Sequence, residues 1–283
     1  MSGLQGAART LRVACVQLNT AGDKAANIGA AERLVRAAAA DGARLIALPE
    51  TWAYKGRRAG ILESAEPIDG PSNSVLAGLA AELGVHVLAG SHYEPSPAAD
   101  RVANTSVLFG PGGETAAVYR KIHLFDAVSG GTPYRESSYL VPGEDVVTAA
   151  IEPGGTSVTV GLAICYDLRF PELFRALALR GAEVLLVPSA FTHYTGAAHW
   201  EVLVRARAIE NGCFVVAPDQ TGFHLPEHRC FGHSMIVDPW GTVLARMDEE
   251  VGSCAADLDL SAVATVREQI PSLANRRPET YGL

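Results

Sequence analysis

Three stretches of this chain recur weakly in similar form, and that resemblance between its halves constrains the fold more than any single motif. Val85-His86-Val87-Leu88-Ala89 is matched by Cys213-Phe214-Val215-Val216-Ala217. Ser106-Val107-Leu108-Phe109-Gly110-Pro111-Gly112-Gly113 is matched by Ser234-Met235-Ile236-Val237-Asp238-Pro239-Trp240-Gly241, and both matches share an offset of 128 residues. Residues 42–50, ending Leu48-Pro49-Glu50, parallel residues 181–189, ending Val187-Pro188-Ser189, each after an Ala/Leu/Arg-rich segment of helical period. Short apolar runs bounded by Gly and Pro read as buried strands. Each half therefore reads as strand, helix, strand, helix, strand, then a hairpin turned at Pro-x-Gly. Two such halves predict an α/β protein with two sheets packed face to face and helices outside. Chance similarity between α/β segments is the alternative.

The composition fits that size of core. The chain has 283 residues, 48% hydrophobic and 19% charged, enough for one large α/β domain, although length alone also permits two. No Pro/Ser/Gly-rich linker divides it. Residues 11–283 are expected to form a single domain, preceded by a disordered tail over residues 1–10 that lacks the apolar core of a signal peptide. A net charge of −8 without a basic run argues against nucleic acid and anionic membranes as partners. No apolar stretch approaches the roughly 20 residues needed to span a bilayer. Five cysteines without a C-x-x-C pair predict reduced thiols and a cytoplasmic location. The Asn104-Thr105-Ser106 sequon then reads as an accident of composition. No phosphate-binding glycine loop is present, and neither metal nor cofactor is predicted.

Three residues at strand ends carry the chemistry. Cys165 closes the apolar run Ser157 to Ile164 and precedes Tyr-Asp-Leu-Arg-Phe-Pro-Glu, a turn opening a helix. Backbone N–H groups and a helix N-terminus there favour a thiolate and can hold an oxyanion. A small buried hydrophobe is the alternative. Glu50 ends the apolar run Leu45-Ile46-Ala47-Leu48-Pro49, at the carboxyl end of a strand, where open α/β sheets bind ligands. Burial there predicts a raised pKa and a general base, against an ordinary exposed acid. Pro188-Ser189 carries no acid at the matching place, which argues that Glu50 is needed for more than the fold. Lys121 lies in Val118-Tyr119-Arg120-Lys121-Ile122-His123-Leu124-Phe125, an alternating segment read as a strand leaving the core. A fixed ammonium stabilises an oxyanion or lowers a thiol pKa; a solvated lysine is the alternative.

Together, Leu48-Pro49-Glu50, Tyr119-Arg120-Lys121-Ile122-His123-Leu124 and Gly161-Leu162-Ala163-Ile164-Cys165-Tyr166-Asp167-Leu168-Arg169-Phe170-Pro171-Glu172 resemble the nitrilase superfamily of carbon–nitrogen hydrolases. The likeness runs from Val13 to Tyr281. It implies an α-β-β-α sandwich with internal pseudo-twofold symmetry. It also implies a Glu-Lys-Cys triad: Cys165 attacks an amide carbonyl to form a thioester, Lys121 and the Tyr166 backbone N–H hold the oxyanion, and Glu50 moves the protons. Glu136, in Tyr134-Arg135-Glu136-Ser137, matches the family's second glutamate, which orients the lysine or the substrate. The neighbouring loop Ala127-Val128-Ser129-Gly130-Gly131-Thr132 departs from the family pattern and loosens that register; a plain loop acid is the alternative. Arg169 sits four residues after Cys165, where a first helical turn brings a guanidinium back to clamp a substrate carboxylate. A structural pair with Glu172 or Asp167 is the other reading.

Tyr54, Tyr166, Phe191, Thr195 and His199 are the expected pocket residues, with Trp200, Arg205 and Arg207 assigned to packing or an interface. Thr195 to Glu210, Asp238-Pro239-Trp240-Gly241 and the ending Arg276-Arg277-Pro278-Glu279-Thr280-Tyr281 resemble the Nit branch. That branch contains omega-amidases and deaminated-glutathione amidases. It implies a small carboxylate-bearing amide as substrate, cleaved to acid and ammonia, and a homodimer or higher homo-oligomer. An N-carbamoyl-amino-acid hydrolase would use the same triad. A redox-responsive thiol protein or a pseudoenzyme binding module is the non-catalytic alternative.

Overall fold

The computed structural model describes residues 9–98, 100–226 and 228–281. Two sheets form its middle. The first contains β1 (Thr10–Gln17), β2 (Leu45–Ala47), β3 (His86–Leu88), β4 (His92–Pro95), β5 (Val102–Phe109), β6 (Thr115–Arg120), β9 (Leu140–Val141) and β18 (Gly252–Asp259). The second contains β10 (Thr148–Ile151), β11 (Val158–Leu162), β12 (Val184–Leu186), β13 (Phe214–Ala217), β16 (Met235–Val237) and β17 (Val243–Arg246). Two hairpins stand outside them, β7 (Asp126–Ser129) with β8 (Thr132–Arg135), and β14 (Thr221–Leu225) with β15 (His228–Phe231). The helices are α1 (Lys24–Ala40), α2 (Arg58–Ser64), α3 (Pro71–Leu83), α4 (Pro171–Leu179), α5 (His193–Asn211), α6 (Ser261–Gln269) and α7 (Pro278–Tyr281).

Both sheets follow one pairing scheme. In the first, β18 pairs antiparallel with β1, β1–β2–β3 run parallel, and β3–β5–β6 return antiparallel. In the second, β10 pairs antiparallel with β11, β11–β12–β13 run parallel, and β13–β16–β17 return antiparallel. The repeated hairpin turns close alike: Gly113 N–H donates to Gly110 O at 2.9 Å, and Gly241 N–H to Asp238 O at 2.9 Å.

Strand alternation assigns the layers. In β1, Val13 and Cys15 join the cluster that contains the second sheet, α4 and α5, whereas Ala14 and Val16 pack with Ala31, Val35, Leu76 and Leu79 of α1 and α3. The first sheet is thus covered by helices on one face and by the second sheet on the other. The second sheet carries Phe174 and Leu177 of α4 and Trp200 and Val204 of α5. This is the α-β-β-α arrangement. Trp200, read as a packing group, is fully buried with its indole N–H on His233 O at 2.8 Å. Arg207 packs over Phe174 and bonds Leu168 O, and Arg205 bonds Gly241 O.

The expected tail needs correction at its end. Thr10 opens β1 and Arg9 pairs with Glu183 at 3.0 Å, because the β1 ladder with β18 extends to Thr10–Asp259. Residues 1–8 lie outside the described residues. The expected strand through Phe125 stops at Arg120. Among the described residues no helix is long and apolar enough to cross a membrane.

Candidate active site

The functional side chains sit where the parallel strands end. Glu50 lies three residues beyond β2 and Cys165 three residues beyond β11. Helix α4 packs so tightly on β11 that a Cβ at Gly161 would stand 3.1 Å from Leu177 Cβ, which explains the glycine that opens the cysteine segment. Cys165 then turns the chain with φ of +49°, a left-handed conformation that costs a non-glycine residue energy. Its N–H donates to Pro188 O at 2.9 Å and the Asp167 N–H to Ile164 O at 3.0 Å. The Tyr166 N–H between them has no backbone acceptor among the described residues. Thr51, beside Glu50, is also left-handed, with φ of +54°. Glu50 N–H donates to Ser189 O at 3.3 Å, so the two matching strand ends meet at the site.

Lys121 follows β6 directly and is 1% exposed. Its Nζ donates to Glu50 Oε1 at 2.9 Å and to Glu136 Oε1 and Oε2 at 3.2 and 2.9 Å. Its backbone is clamped as well: the N–H donates to Asn104 O and the C=O accepts from Gly143 N–H at 2.8 Å. A Cβ at Gly143 would stand 2.2 Å from Arg120 O, so only glycine permits that approach. Glu136 is held by the Phe125 N–H at 2.7 Å. The departing loop around Ala127 forms the β7–β8 hairpin and leaves Glu136 on the lysine.

A polar strut ties the lysine strand to the cysteine turn. Asp167 is fully buried and accepts from Tyr119 OH at 2.6 Å, Ile164 N–H at 2.8 Å, and the His123 ring and N–H at 2.7 and 3.1 Å. His123 stacks on Phe170 at 3.6 Å between centroids. Four donors from three residues on one buried carboxylate make this joint stiff.

Two electrostatic expectations are corrected. Burial pushes the Glu50 carboxyl up, but Lys121, then Lys55, outweigh it, and the group ends below the ordinary carboxylate range. The Cys165 thiol lies well above its ordinary value, chiefly through burial and then through Glu50, with Lys121 opposing. Cys165–Arg169 forms only a short 3-10 turn and the α-helix begins at Pro171, so no α-helix N-terminus sits on the thiol. The resting pair is therefore an ionised Glu50 beside a protonated Cys165. Burial opposes charge on Lys121, but Glu136 and Glu50 dominate and hold its pKa well above the ordinary lysine value.

A cavity of about 230 Å³ opens onto these groups. Of the expected pocket residues, Tyr166, Arg169, Phe191 and Thr195 line it. Tyr54 and His199 do not. Tyr54 packs against the cluster of Ile61, Tyr93, Val102 and Leu140. His199 is exposed on α5, with its ring nitrogen 3.3 Å from an Arg169 Nη. Arg169 lies over the Phe191 ring at 5.0 Å and pairs with neither Asp167 nor Glu172 among the described residues. Sequence reasoning missed Lys55, Tyr93, Phe125, Tyr134, Tyr139 and His224 in the lining. It also missed Asn104, whose amide donates to Glu50 Oε1 at 2.8 Å. Among the described residues no group of three His, Cys, Asp or Glu side chains is placed to hold a metal ion.

Residues 12–268 match the carbon-nitrogen hydrolase family. The chain belongs to that family. It is 41% identical to the deaminated glutathione amidase of Synechocystis over 93% of this chain and 97% of the relative. It is 37% identical to the omega-amidase NIT2 of Pongo abelii over 97% and 98%. The crystal structure of the Caenorhabditis elegans NitFhit protein superposes with a TM-score of 0.89 at 37% identity, covering 98% of this chain and 67% of that one. A mutant amidase from Nesterenkonia, carrying the acetamide moiety of fluoroacetamide on its active site cysteine, superposes with a TM-score of 0.81 at 28% identity over 99% and 98%. The carbon-nitrogen hydrolase fold thus accounts for both sheets.

Proposed function

We propose that this carbon-nitrogen hydrolase cleaves the amide of a small carboxylate-bearing acid through a thioester on Cys165. The observation that carries the reading is one buried ammonium held between two carboxylates, beside a thiol on a left-handed turn. Glu50 takes the thiol proton as Sγ attacks the carbonyl carbon. Sγ–C forms, the carbonyl becomes an oxyanion, and the Lys121 ammonium with the free Tyr166 N–H receives that charge. Glu50 returns the proton to nitrogen, the C–N bond breaks, and ammonia or a larger amine departs. The carboxylate, ionised again, then removes a proton from water as it attacks the thioester and releases acid and thiol. Glu136 keeps Lys121 aimed.

The Nit-branch relatives support deaminated glutathione or an omega-amido 2-oxo acid as substrate, and Arg169 in the lining supports a carboxylate on it. Five cysteines without disulfides support a cytoplasmic site of action. Exposed Val202, Ile209, Trp240 and Ile270 support a homodimer or higher homo-oligomer. The test is parallel assay of deaminated glutathione, 2-oxoglutaramate, 2-oxosuccinamate and N-carbamoyl amino acids, following the acid released. The 2-oxo acid amides are expected to lead. Preferential turnover of N-carbamoyl amino acids would replace this reading with a carbamoylase, and no turnover of any would remove it.

A further inference from the structure

The cavity wall is basic although the protein is acidic. Five cations line it, Lys55, Arg57, Arg58, Lys121 and Arg169, against the two carboxylates Glu50 and Glu136, in a chain of net charge −8. Both carboxylates are engaged by Lys121. Arg58 donates to Ser138 O at 2.6 Å and lies over the Tyr139 ring. Arg169 rests on Phe191 and His199. Among the described residues the Lys55 ammonium has neither ion pair nor hydrogen bond.

Lys55 is nevertheless held in place. Between Glu50 and Lys55 the chain is pinned by Thr51 N–H on Ser91 Oγ at 2.9 Å, Trp52 N–H on Ser91 O at 3.1 Å, and Lys55 N–H on Ala21 O at 3.2 Å. These bonds fix the backbone from which the side chain enters the cavity lining. Burial works against its charge, but Cys230, Glu50, Tyr139 and Cys165 outweigh burial and leave its pKa raised. The Cys230 thiol is itself pushed up to about 12 by burial, and Cys165 is also raised. At neutral pH the one anion among these neighbours is therefore Glu50, already bonded to Lys121 and Asn104. A half-buried ammonium facing a cavity without its own counter-ion is incomplete until an anion enters.

We propose that Lys55 recognises a carboxylate on the acyl half of the substrate, leaving Arg169 for a second anionic group on the leaving side. Lys55 stands on the same pinned segment as Glu50 and lines the cavity with Glu50 and Cys165, where the acyl carbon must sit, whereas Arg169 extends toward exposed His199. The substrate class is then the ω-amide of a short dicarboxylic acid, preferably a dianion when the amine side also carries a carboxylate. The inference rests on the amide-hydrolase reading above.

The experiment compares kcat/KM for 2-oxoglutaramate and for pentanamide, a neutral amide of the same chain length, in wild type, Lys55→Arg and Lys55→Met. The ratio is expected to fall about 10- to 100-fold in Lys55→Met, the range for losing a charge-assisted hydrogen bond, and to be largely kept in Lys55→Arg. Binding of glutarate to the Cys165→Ala protein, measured by calorimetry, should weaken similarly when Lys55→Met is added. That second readout needs no turnover, and a thermal melt reports on folding. Lys55 lies near Glu50, so a purely electrostatic role predicts equal loss on both amides with the acid limb of the pH profile displaced; that result, or unchanged glutarate binding, overturns the proposal. A wild type that hydrolyses no carboxylate-bearing amide overturns the amide-hydrolase reading itself.

Discussion

Glu136→Gln separates a residue that positions Lys121 from one that merely fills a loop. The amide keeps the shape and an acceptor for the Phe125 N–H, now 2.7 Å from the carboxylate, but removes one of two anions from a lysine that is 1% exposed. Removing one partner of a buried ion pair costs about 3–5 kcal/mol. The Glu136 side chain is 17% exposed and Glu50 remains at 2.9 Å, which discounts the cost to about 2–3 kcal/mol, below that range. With 283 residues, unfolding entropy near the melting temperature is about 0.6 kcal/mol/K, so Tm should fall by about 3–5 °C. Activity should suffer more than stability. An ammonium drawn toward Glu50 alone no longer points at the developing oxyanion, and loss of such a donor costs about 10²–10³-fold in kcat. The loss belongs in kcat, with KM little changed, because the contact matters most in the transition state. Steady-state kinetics on 2-oxoglutaramate with a parallel melt gives both numbers. A normal kcat with the expected drop in Tm would refute the positioning argument and leave Glu136 structural.

Two further outcomes follow from the site. Arg169→Lys should weaken deaminated glutathione more than pentanamide, since the planar fork is lost while the charge remains; kcat/KM for the two amides measures it, and an equal drop would make Arg169 a packing group on Phe191. The pH profile of kcat/KM should show no inflection near the histidine range: Glu50 must be ionised and lies below its ordinary value of 4.5, while Cys165 and Lys121 lie above their ordinary 9.0 and 10.5. Stability follows the same signs. The Glu50 contribution is lost as pH falls through its depressed value, and that of Lys121 as pH rises through its raised one.

The residues that meet at the candidate site were legible because they stand at the ends of strands. Glu50 and Cys165 each stand three residues past a parallel strand, where the period breaks and a polar residue is conspicuous. Lys121 was legible through its alternating strand. The pairs of similar segments fall on strands β3 and β13, and on β5 and β16 with the turns that follow them. What failed were properties set by three-dimensional surroundings. The pKa directions of Glu50 and Cys165 depend on charges brought from other strands, and no local pattern holds them. Tyr54 follows Glu50 closely in sequence, yet its ring turns into a satellite cluster, while the next residue lines the cavity. Lys55 lies in the aperiodic segment before α2, where no period marks a residue as facing inward. Asn104, inside a wholly buried strand, looked like a stray sequon rather than a partner of Glu50. His199 falls on the helix that carries Thr195, but four residues take it past the cavity rim to the outside of Arg169.

The most direct test is rapid-quench mass spectrometry of the wild type turning over 2-oxoglutaramate, followed by peptide mapping. The account predicts a transient acyl adduct on the peptide containing Cys165, absent from Cys165→Ala, which folds normally and does not hydrolyse the amide. Turnover by Cys165→Ala, or an adduct on Cys15, Cys213, Cys230 or Cys254 instead, would contradict it.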